Sequence, residues 1–176
     1  MHYIKGIENY KNENRSAVTL GKFDGFHKGH MKLVKQVQKL SEEKGVLSIV
    51  CSFDMRPFYQ MLHADTKILM TCDERKRKLH KRVDYFVDCP FTKEFSMMEA
   101  EDFIEKVLVG IFHAAYVVVG VDFCFGHGKR GNVQMLAQYA KQCGYELIVL
   151  DKERLNGRDI SSTFTREALL SGDMNL

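Results

Sequence analysis

Short apolar runs alternate with longer amphipathic segments along this chain. The apolar runs are rich in β-branched residues and nearly continuous in hydrophobicity, which is typical of buried strands in a parallel sheet. They are AVTL (17–20), VLSIVCSF (46–53), VDYFVD (83–88), AYVVVG (115–120) and YELIVL (145–150). Segments with helical spacing lie between them, so the pattern predicts the element order βαβαβαβαβ.

Helix signals in the polar segments support this order. In the first helix the apolar positions recur with helical spacing at Met31, Leu33, Val34, Val37 and Leu40. Gly45 can end that helix in a left-handed cap. Thr71 with Glu74 and Ser96 with Glu99 have the spacing of capping boxes, which mark the starts of the next two helices. Asn132 can cap a fourth helix, which ends at Gly144.

The end of the chain carries a turn and a last helix. Asn156 and Gly157 favour a tight hairpin, and SSTFTREALLSG predicts a helix that ends at Gly172. With 176 residues the chain is long enough for one substantial core. We therefore expect a single α/β domain over residues 1–176, a Rossmann-like doubly wound parallel sheet with ligands beyond the carboxyl ends of its strands.

Composition narrows the class of protein. Hydrophobic residues make up 45% and charged residues 28%, as in an ordinary globular protein. The 26 basic and 23 acidic residues give a net charge of +3, which is too balanced to predict nucleic-acid binding. The basic segment DERKRKLHKR (73–82) is interpreted as a solvated helix face.

The chain also lacks the usual signals for membranes and disulfides. Its longest uncharged apolar run, AAYVVVGV (114–121), is too short to span a bilayer, and MHYIKGIENYKNENRS contains no signal-peptide core. Five widely spaced cysteines without a CxxC pair predict neither a disulfide framework nor a structural zinc site. A cytoplasmic protein without a membrane partner is expected.

Candidate chemistry begins with TLGKFDGFHKGHMKLV, residues 19–34, at a predicted strand-to-helix junction. His27 and His30 are three residues apart and project on one side of the first helical turn. A helix N-terminus offers unpaired N–H groups that suit a phosphate. The residues alone leave two alternatives open, a capping turn with two surface histidines and a pair of metal ligands.

Two later loops have related chemistry. GVDFCFGHGKRGN (120–132) combines phenylalanines that could stack on a flat ring with Lys129 and Arg130, which could meet a phosphate. SSTFTR (161–166) gathers hydroxyls and Arg166 at another predicted helix start. Taken singly, the phenylalanines fit an ordinary core and the serine an ordinary helix cap.

Taken together, the three loops resemble one enzyme superfamily. GKFDGFHKGH resembles the G-x-F-D-G-x-H-x-G-H signature of the HxGH nucleotidyltransferases. VVVGVDFCFGHGKRGN and ISSTFTREAL are similar to segments of one branch, the FMN adenylyltransferase (FAD synthetase) module of bacterial bifunctional riboflavin kinase/FAD synthetases. The likeness covers about residues 15–172. It implies the fold of the HxGH type and transfer of AMP from Mg-ATP to FMN, giving FAD and pyrophosphate.

The resemblance also implies roles for individual residues. Those assigned to ATP are Gly21, Phe23, Asp24, His27, Gly29, His30, Ser162, Thr163 and Arg166, with Asp24 mainly bonding the backbone of its own FDG turn. Those assigned to FMN are Arg56, Asp122, Phe123, Cys124, Phe125, Arg130 and Asn132. The residues expected to act on the reacting groups are His27, His30, Asp122 and Arg166. Mg²⁺ is expected to arrive through the ATP phosphates, without an assigned protein ligand.

Three departures qualify the resemblance. SFDMRPF places Arg56 where the family often has a histidine, and Cys124 stands where relatives commonly carry a longer or polar side chain. The chain ends at Leu176, without a riboflavin kinase domain, so a separate kinase is expected to supply FMN unless the chain is a fragment. The alternatives are an HxGH nucleotidyltransferase with another phosphate acceptor and a non-catalytic flavin- or nucleotide-binding module.

Overall fold

A computed structural model describes residues 1–64, 68–155 and 157–172. Its strands are β1 (His2–Lys5), β2 (Ser16–Gly21), β3 (Leu47–Asp54), β4 (Tyr85–Pro90), β5 (Ala114–Gly120), β6 (Cys124–Phe125), β7 (Gly131–Asn132), β8 (Glu146–Leu150), β9 (Arg154–Leu155) and β10 (Arg158–Asp159). Its helices are α1 (Lys28–Lys44), α2 (Arg56–Met61), α3 (Cys72–Leu79), α4 (Lys93–Ser96), α5 (Ala100–Asp102), α6 (Val133–Cys143) and α7 (Ser162–Ser171). A π-helix, Phe103–Ile111, continues α5, and 3₁₀ turns occur at Ile7–Asn9 and His127–Lys129.

Six strands form one parallel sheet in the order β1-β4-β3-β2-β5-β8. The five strands predicted from the apolar runs are confirmed as β2, β3, β4, β5 and β8. Strand β1 was not predicted, because its four residues HYIK offer only two adjacent apolar positions within a polar segment. It pairs with β4, His2 opposite Tyr85, and this long-range contact leaves no local sequence signal.

The sheet separates two apolar cores, as in a doubly wound fold. One core joins the sheet to α1 and α3 through Val34, Val37, Leu40 and Leu79. The opposite core joins it to the π-helix and α6, with Phe103, Ile104, Val107, Leu108 and Leu136 buried. The central strands are covered on both faces, which explains why their sequences are almost uninterrupted in hydrophobicity.

Most predicted helix boundaries are confirmed. Gly45 ends α1 with a φ of 66°, and the Thr71 and Glu74 capping box begins α3. The side-chain oxygen of Asn132 accepts a hydrogen bond from the Met135 N–H at the start of α6. Helices α6 and α7 end at Gly144 and Gly172, both left-handed.

One local prediction was wrong, and a second was right only in part. Ser96 does not start a capping box with Glu99, since Thr92 caps α4, which already ends at Ser96, and Glu99 itself precedes α5. The basic segment 73–82 is not solvated throughout, because Arg75 of α3 is buried. The predicted hairpin is present as the antiparallel pair β9 and β10, while Asn156 lies outside the described residues.

Candidate active site

The first candidate loop lies at the carboxyl edge of the sheet. Strand β2 ends at Gly21, and α1 begins at Lys28. Strands β3 and β5 flank β2 and end at the same edge, so Asp54 and Gly120 introduce the neighbouring loops. The parallel topology therefore gathers the loops that the motifs singled out, as the fold predicts.

The two histidines stack on each other at the start of α1. Their ring centroids are 3.7 Å apart with an interplanar angle of 23°. His27 caps the helix, and its Nδ1 accepts a hydrogen bond from the backbone N–H of His30 at 3.4 Å. Phe23 supports the His30 ring from the core side at a centroid distance of 5.0 Å.

The environment of this pair keeps both imidazoles neutral near pH 7. Burial and, to a smaller extent, the charge of a protonated His27 lower the pKa of His30 to about 3. Burial also lowers the pKa of His27, although the Asp24 carboxylate acts in the opposite direction. Neutral imidazole carries one N–H donor, so each ring can still donate a hydrogen bond to a phosphate oxygen.

The FDGF turn is conformationally strained. Phe23 and Phe26 have φ values of 45° and 40°, which bulky residues rarely adopt. Both rings are buried and stack on each other at 5.4 Å. Gly25 has a φ of 86°, which L-residues with a side chain rarely adopt, and a Cβ there would lie 2.9 Å from Leu69 Cδ1, so Leu69 would have to shift. Core packing thus supports an unusual backbone beside the histidines.

Asp24 joins three segments of the site. One of its carboxylate oxygens accepts hydrogen bonds from the N–H groups of Leu69 (2.8 Å) and Met70 (3.3 Å). The other accepts a hydrogen bond from Arg166 Nη2 at 3.0 Å, and the Asp24 carbonyl accepts one from Ser162 Oγ at 2.8 Å. The prediction that Asp24 mainly bonds its own turn was wrong, because its partners are distant in sequence.

A pocket of about 490 Å³ opens beside Asp24. Its lining residues are Lys22, Asp24, Phe53, Asp54, Met55, Arg56, Tyr59, Ala64, Ile68, Met70, Cys72, Arg75, Ser162, Thr163 and Arg166. Five of these residues were predicted from the sequence, namely Asp24, Arg56, Ser162, Thr163 and Arg166. The sequence reasoning missed Lys22, Asp54, Tyr59 and Arg75, although the position of Asp54 at the end of a predicted strand could have indicated it.

Arg56 and Asp54 form an ion pair at the pocket. Arg56 Nε and Nη2 donate to the Asp54 carboxylate at 2.8 and 2.7 Å. Burial alone would raise the pKa of Asp54, but the hydrogen bonds from Arg56 outweigh it, and the charge of Arg75 acts in the same direction. The pKa of Asp54 is therefore lowered, and the pair stays ionised at neutral pH.

The loop after β5 is fixed mainly by aromatic packing. The Phe125 ring is buried between Phe103, at a centroid distance of 5.1 Å, and Phe123, at 5.7 Å. Cys124 is exposed and pairs with Asn132 across the β6 and β7 ribbon. Phe125 thus has the core role that was left open for these phenylalanines, while Phe123 lies between it and the surface.

The remaining residues predicted on this loop have polar partners. Lys152 Nζ lies 3.0 Å from Asp122 and 3.6 Å from Asp159, which links the loop to the β9 and β10 hairpin. Arg130 forms ion pairs with Glu101 and, at 3.2 Å, with Glu99. Asn132 caps α6, and together with Arg130 it lines a second, open hollow of about 400 Å³.

The predicted site residues thus lie mainly around two separate pockets. Asp24, Arg56, Ser162, Thr163 and Arg166 line the pocket of about 490 Å³, with the stacked histidines on the loop that Asp24 belongs to. Residues Arg130 and Asn132 border the second hollow.

In the part of the chain that the structure describes, no group of three or more His, Cys, Asp or Glu side chains is arranged to hold a metal ion. None of the described helices is long and apolar enough to cross a membrane.

Comparison with known proteins decides the family. The family model described as FAD synthetase matches residues 9–164, most of the chain. The chain belongs to the FAD synthetase family. This confirms the resemblance that was inferred from GKFDGFHKGH, VGVDFCFG and ISSTFTREAL.

Curated FAD synthetase relatives carry the name bifunctional riboflavin kinase/FMN adenylyltransferase. The Buchnera aphidicola protein from Acyrthosiphon pisum is 31% identical over all of this chain and 57% of its own length. The Listeria monocytogenes protein is 31% identical over 90% of this chain and 51% of its own. The Escherichia coli K12 protein is 29% identical over all of this chain and 58% of its own. The chain therefore spans little more than half the length of these relatives.

A solved structure shows the same fold. The crystal structure described as a macrolide-efflux protein from Streptococcus pneumoniae superposes with a TM-score of 0.84 and 25% identity. The match covers 98% of this chain and 59% of that one. Together with the parallel strand order, it confirms the predicted Rossmann-like α/β fold of this FAD synthetase family member.

Proposed function

We propose that this chain is an FMN adenylyltransferase, which transfers AMP from ATP to FMN and releases pyrophosphate. The observation that carries the proposal is the junction at Asp24, where the FDGFHKGH loop and the ISSTFTR helix start meet at one pocket. Membership of the FAD synthetase family and the names of the relatives support the same activity.

The chemistry asks for positioning more than for a strong base. An oxygen of the FMN phosphate attacks the α-phosphorus of ATP, and the bond from that phosphorus to the bridging oxygen of pyrophosphate breaks. The attacking oxygen is already ionised at neutral pH, so no side chain has to remove a proton. Catalysis then depends on alignment of the two substrates and on neutralisation of the charge that moves to pyrophosphate.

In this proposal His27 and His30 donate hydrogen bonds to the ATP phosphates at the start of α1. Because both imidazoles are neutral, they act as fixed dipoles, and the N-terminus of α1 adds its own partial positive charge. A Cβ on Gly29 would lie 3.3 Å from the His27 ring, so glycine keeps the approach to this corner open.

The start of α7 forms the other side of the proposed ATP site. Ser161 caps the helix by accepting a hydrogen bond from the Phe164 N–H, which leaves the hydroxyls of Ser162 and Thr163 at the pocket. Arg166 extends from the same helix and is oriented by Asp24 at 3.0 Å. These groups would hold the triphosphate opposite the histidines.

Mg²⁺ is proposed to bind with ATP. Magnesium in nucleotide sites is held largely by substrate phosphates and water, with one or two carboxylates at most. Asp24 and Asp54 are the two carboxylates among the lining residues of the pocket, and each also pairs with an arginine. The ion would supply charge neutralisation for the leaving pyrophosphate.

The FMN side of the site is proposed to include Asp122, Phe123, Cys124 and the second hollow with Arg130 and Asn132. Phe125 would act through Phe123, because its own ring is buried. Arg56 lies instead at the pocket that Asp24 lines, where its guanidinium could bind a phosphate but could not shuttle a proton.

The setting of the reaction follows from the same proposal. FMN would be supplied by a riboflavin kinase, an activity that the relatives' names join to FMN adenylyltransferase. A cytoplasmic location would suit an enzyme that uses ATP and FMN. We propose that residues 1–176 form the adenylyltransferase domain alone.

The test incubates purified protein with Mg-ATP and FMN and separates the products by chromatography. FAD and pyrophosphate should form in equal amounts, whereas riboflavin or CTP in place of FMN or ATP should give neither. His30→Ala should slow the reaction, and His80→Ala, at the exposed end of α3, serves as the matched control. Folded protein that binds FMN without making FAD would support the non-catalytic alternative, and a product from CTP would support another nucleotidyltransferase.

A further inference from the structure

Arg75 is a buried cation that none of the three motifs includes. Its helix, α3, is otherwise rich in exposed charge, and the neighbouring Arg77 is exposed. The Arg75 residue is only 6% exposed, yet it lines the pocket of about 490 Å³. An arginine is almost never buried without a partner, so its surroundings explain its position.

A chain of hydrogen bonds leads from Arg75 to the histidine-bearing loop. Arg75 Nη1 donates to Ser52 Oγ at 2.6 Å, and Ser52 Oγ donates to the carbonyl of Lys22 at 3.0 Å. Lys22 directly precedes Phe23, where the backbone is strained, and Asp24, which joins the pocket walls. Arg75 therefore fixes the point at which the loop leaves β2.

The acidic partner of Arg75 is also buried. Asp88 of β4 is 3% exposed, and its carboxylate lies 3.5 Å from Arg75 Nη1. Tyr3 donates a hydrogen bond to the same carboxylate at 3.3 Å. Among the described residues, Arg75 Nε and Asp88 Oδ1 make no hydrogen bond.

Such a pair is a poor source of stability. Moving the charges of Arg75 and Asp88 out of water costs roughly several kcal/mol. Their incomplete hydrogen bonding leaves part of this cost uncompensated. In other proteins, well-packed apolar pairs of similar volume often stabilise the fold at least as well as a buried ion pair. The observed placement is better explained by what Arg75 holds, namely Ser52 and, through it, the Lys22 carbonyl.

We propose that Arg75 is a positioning residue for adenylyl transfer, acting through Ser52 on the loop that carries His27 and His30. This inference rests on the proposed function, since it assigns Arg75 to the same site. In this proposal Arg75 acts through Ser52, not on a reacting phosphate, and it sets the direction in which the loop presents the two imidazoles. A displacement of about 1 Å in such a group can lower turnover roughly a hundredfold.

The experiment compares Arg75→Met, Arg75→Lys and Ser52→Ala with the matched control Arg77→Gln. For each folded protein, kcat and the KM for ATP and FMN are measured, together with imidazole NMR spectra of labelled histidines. We expect Arg75→Met and Ser52→Ala to lower kcat about tenfold to a hundredfold, the range for a misplaced group, with smaller changes in KM. Arg75→Lys, which keeps the charge and one donor for Ser52, should recover most of the turnover.

The NMR spectra separate positioning from general destabilisation. Resonances of His27 and His30 should shift in Arg75→Met and Ser52→Ala, while those of His2 and His113, at the opposite edge of the sheet, should not. Arg77→Gln should match the wild type in both measurements. If Arg75→Met does not fold, Ser52→Ala carries the test, because it removes only the hydroxyl that links Arg75 to Lys22.

The two hypotheses fail in different ways. Unchanged kcat and unshifted His27 and His30 resonances in Ser52→Ala would overturn the role of Arg75, and so would shifts that spread to all histidines. Absence of FAD formation by the wild type would contradict the proposed function. The NMR arm would still show whether Arg75 orients the loop, since it requires no turnover.

Discussion

The loop around Asp24 and the loop around Phe123 follow neighbouring strands, β2 and β5, but they are held in different ways. Asp24 accepts hydrogen bonds from Leu69, Met70 and Arg166, so polar contacts fix its loop. Phe123 instead packs against Phe125, and the nearby charged groups form exposed ion pairs, which contribute little to stability.

This difference corresponds to the chemistry proposed for each side. Phosphates need donors at fixed positions, and buried or half-buried hydrogen bonds provide that order before the substrate arrives. A flat ring needs an apolar surface, which aromatic packing provides without directional bonds. Substitutions on the Asp24 side should therefore change turnover, whereas truncation of the buried Phe125 should mainly change stability.

The largest effect is expected for His30→Ala. In the proposed mechanism the substitution removes a donor from the transition state, so kcat should fall about tenfold to a thousandfold. Steady-state FAD formation measures this, with His80→Ala as the exposed control. Turnover equal to that of the wild type would remove His30 from the mechanism.

Phe125→Ala tests the apolar side. Phe125 is 6% exposed and packs against Phe103, so truncation should lower the free energy of unfolding by about 3 kcal/mol. Denaturant unfolding measures the change. Cys124→Ala, at the exposed neighbouring position, should lower the free energy of unfolding by less than about 1 kcal/mol. A loss for Phe125→Ala as small as that of Cys124→Ala would contradict the core role of the ring.

Asp24→Asn tests the polar side with little change in size. The amide can still accept from Leu69 but no longer carries the charge that orients Arg166. We expect kcat to fall about tenfold to a hundredfold, as for other misplaced groups, with a smaller change in the free energy of unfolding. Asp73→Asn, an exposed aspartate on α3, is the control, and equal rates for both variants would show that Asp24 does not position Arg166.

The pH dependence of stability gives the smallest and most specific signal. The pKa of His30 is about 3 in the folded protein and about 6.5 in the unfolded protein. Between these two pH values, only the unfolded state binds a proton at His30. The free energy of unfolding should therefore fall as the pH drops below about 6.5, by up to about 1.4 kcal/mol per pH unit from this group. Denaturant unfolding at pH 7, 6 and 5 compares the wild type with His30→Gln, and parallel curves would contradict the lowered pKa.

The sequence predicts those features that depend on local pattern. Central strands, the Thr71 box and the left-handed glycines each have a signal within a few residues, and all of these are found. The motifs also place His27 and the serines of SSTFTR correctly at helix starts. Local pattern was sufficient because strand burial and helix capping are short-range effects.

Features that depend on distant partners could not be predicted in this way. The contacts of Asp24 reach Leu69 and Arg166, and the burial of Arg75 depends on Ser52 and Asp88 in the sheet. A charged residue in a basic helix carries no sequence mark of such burial. Strand β1 is missed for the same reason, because only its pairing with β4 defines it.

The span of the Asp24 contacts has a consequence for synthesis of the protein. The hydrogen bonds from Ser162 and Arg166 to Asp24 join positions that are 138 and 142 residues apart. During translation the chain emerges from its N-terminus, so the FDGFHKGH loop leaves the ribosome long before its partners on α7. The pocket cannot be assembled until almost the whole described chain has been made, which places completion of the site among the last steps of folding.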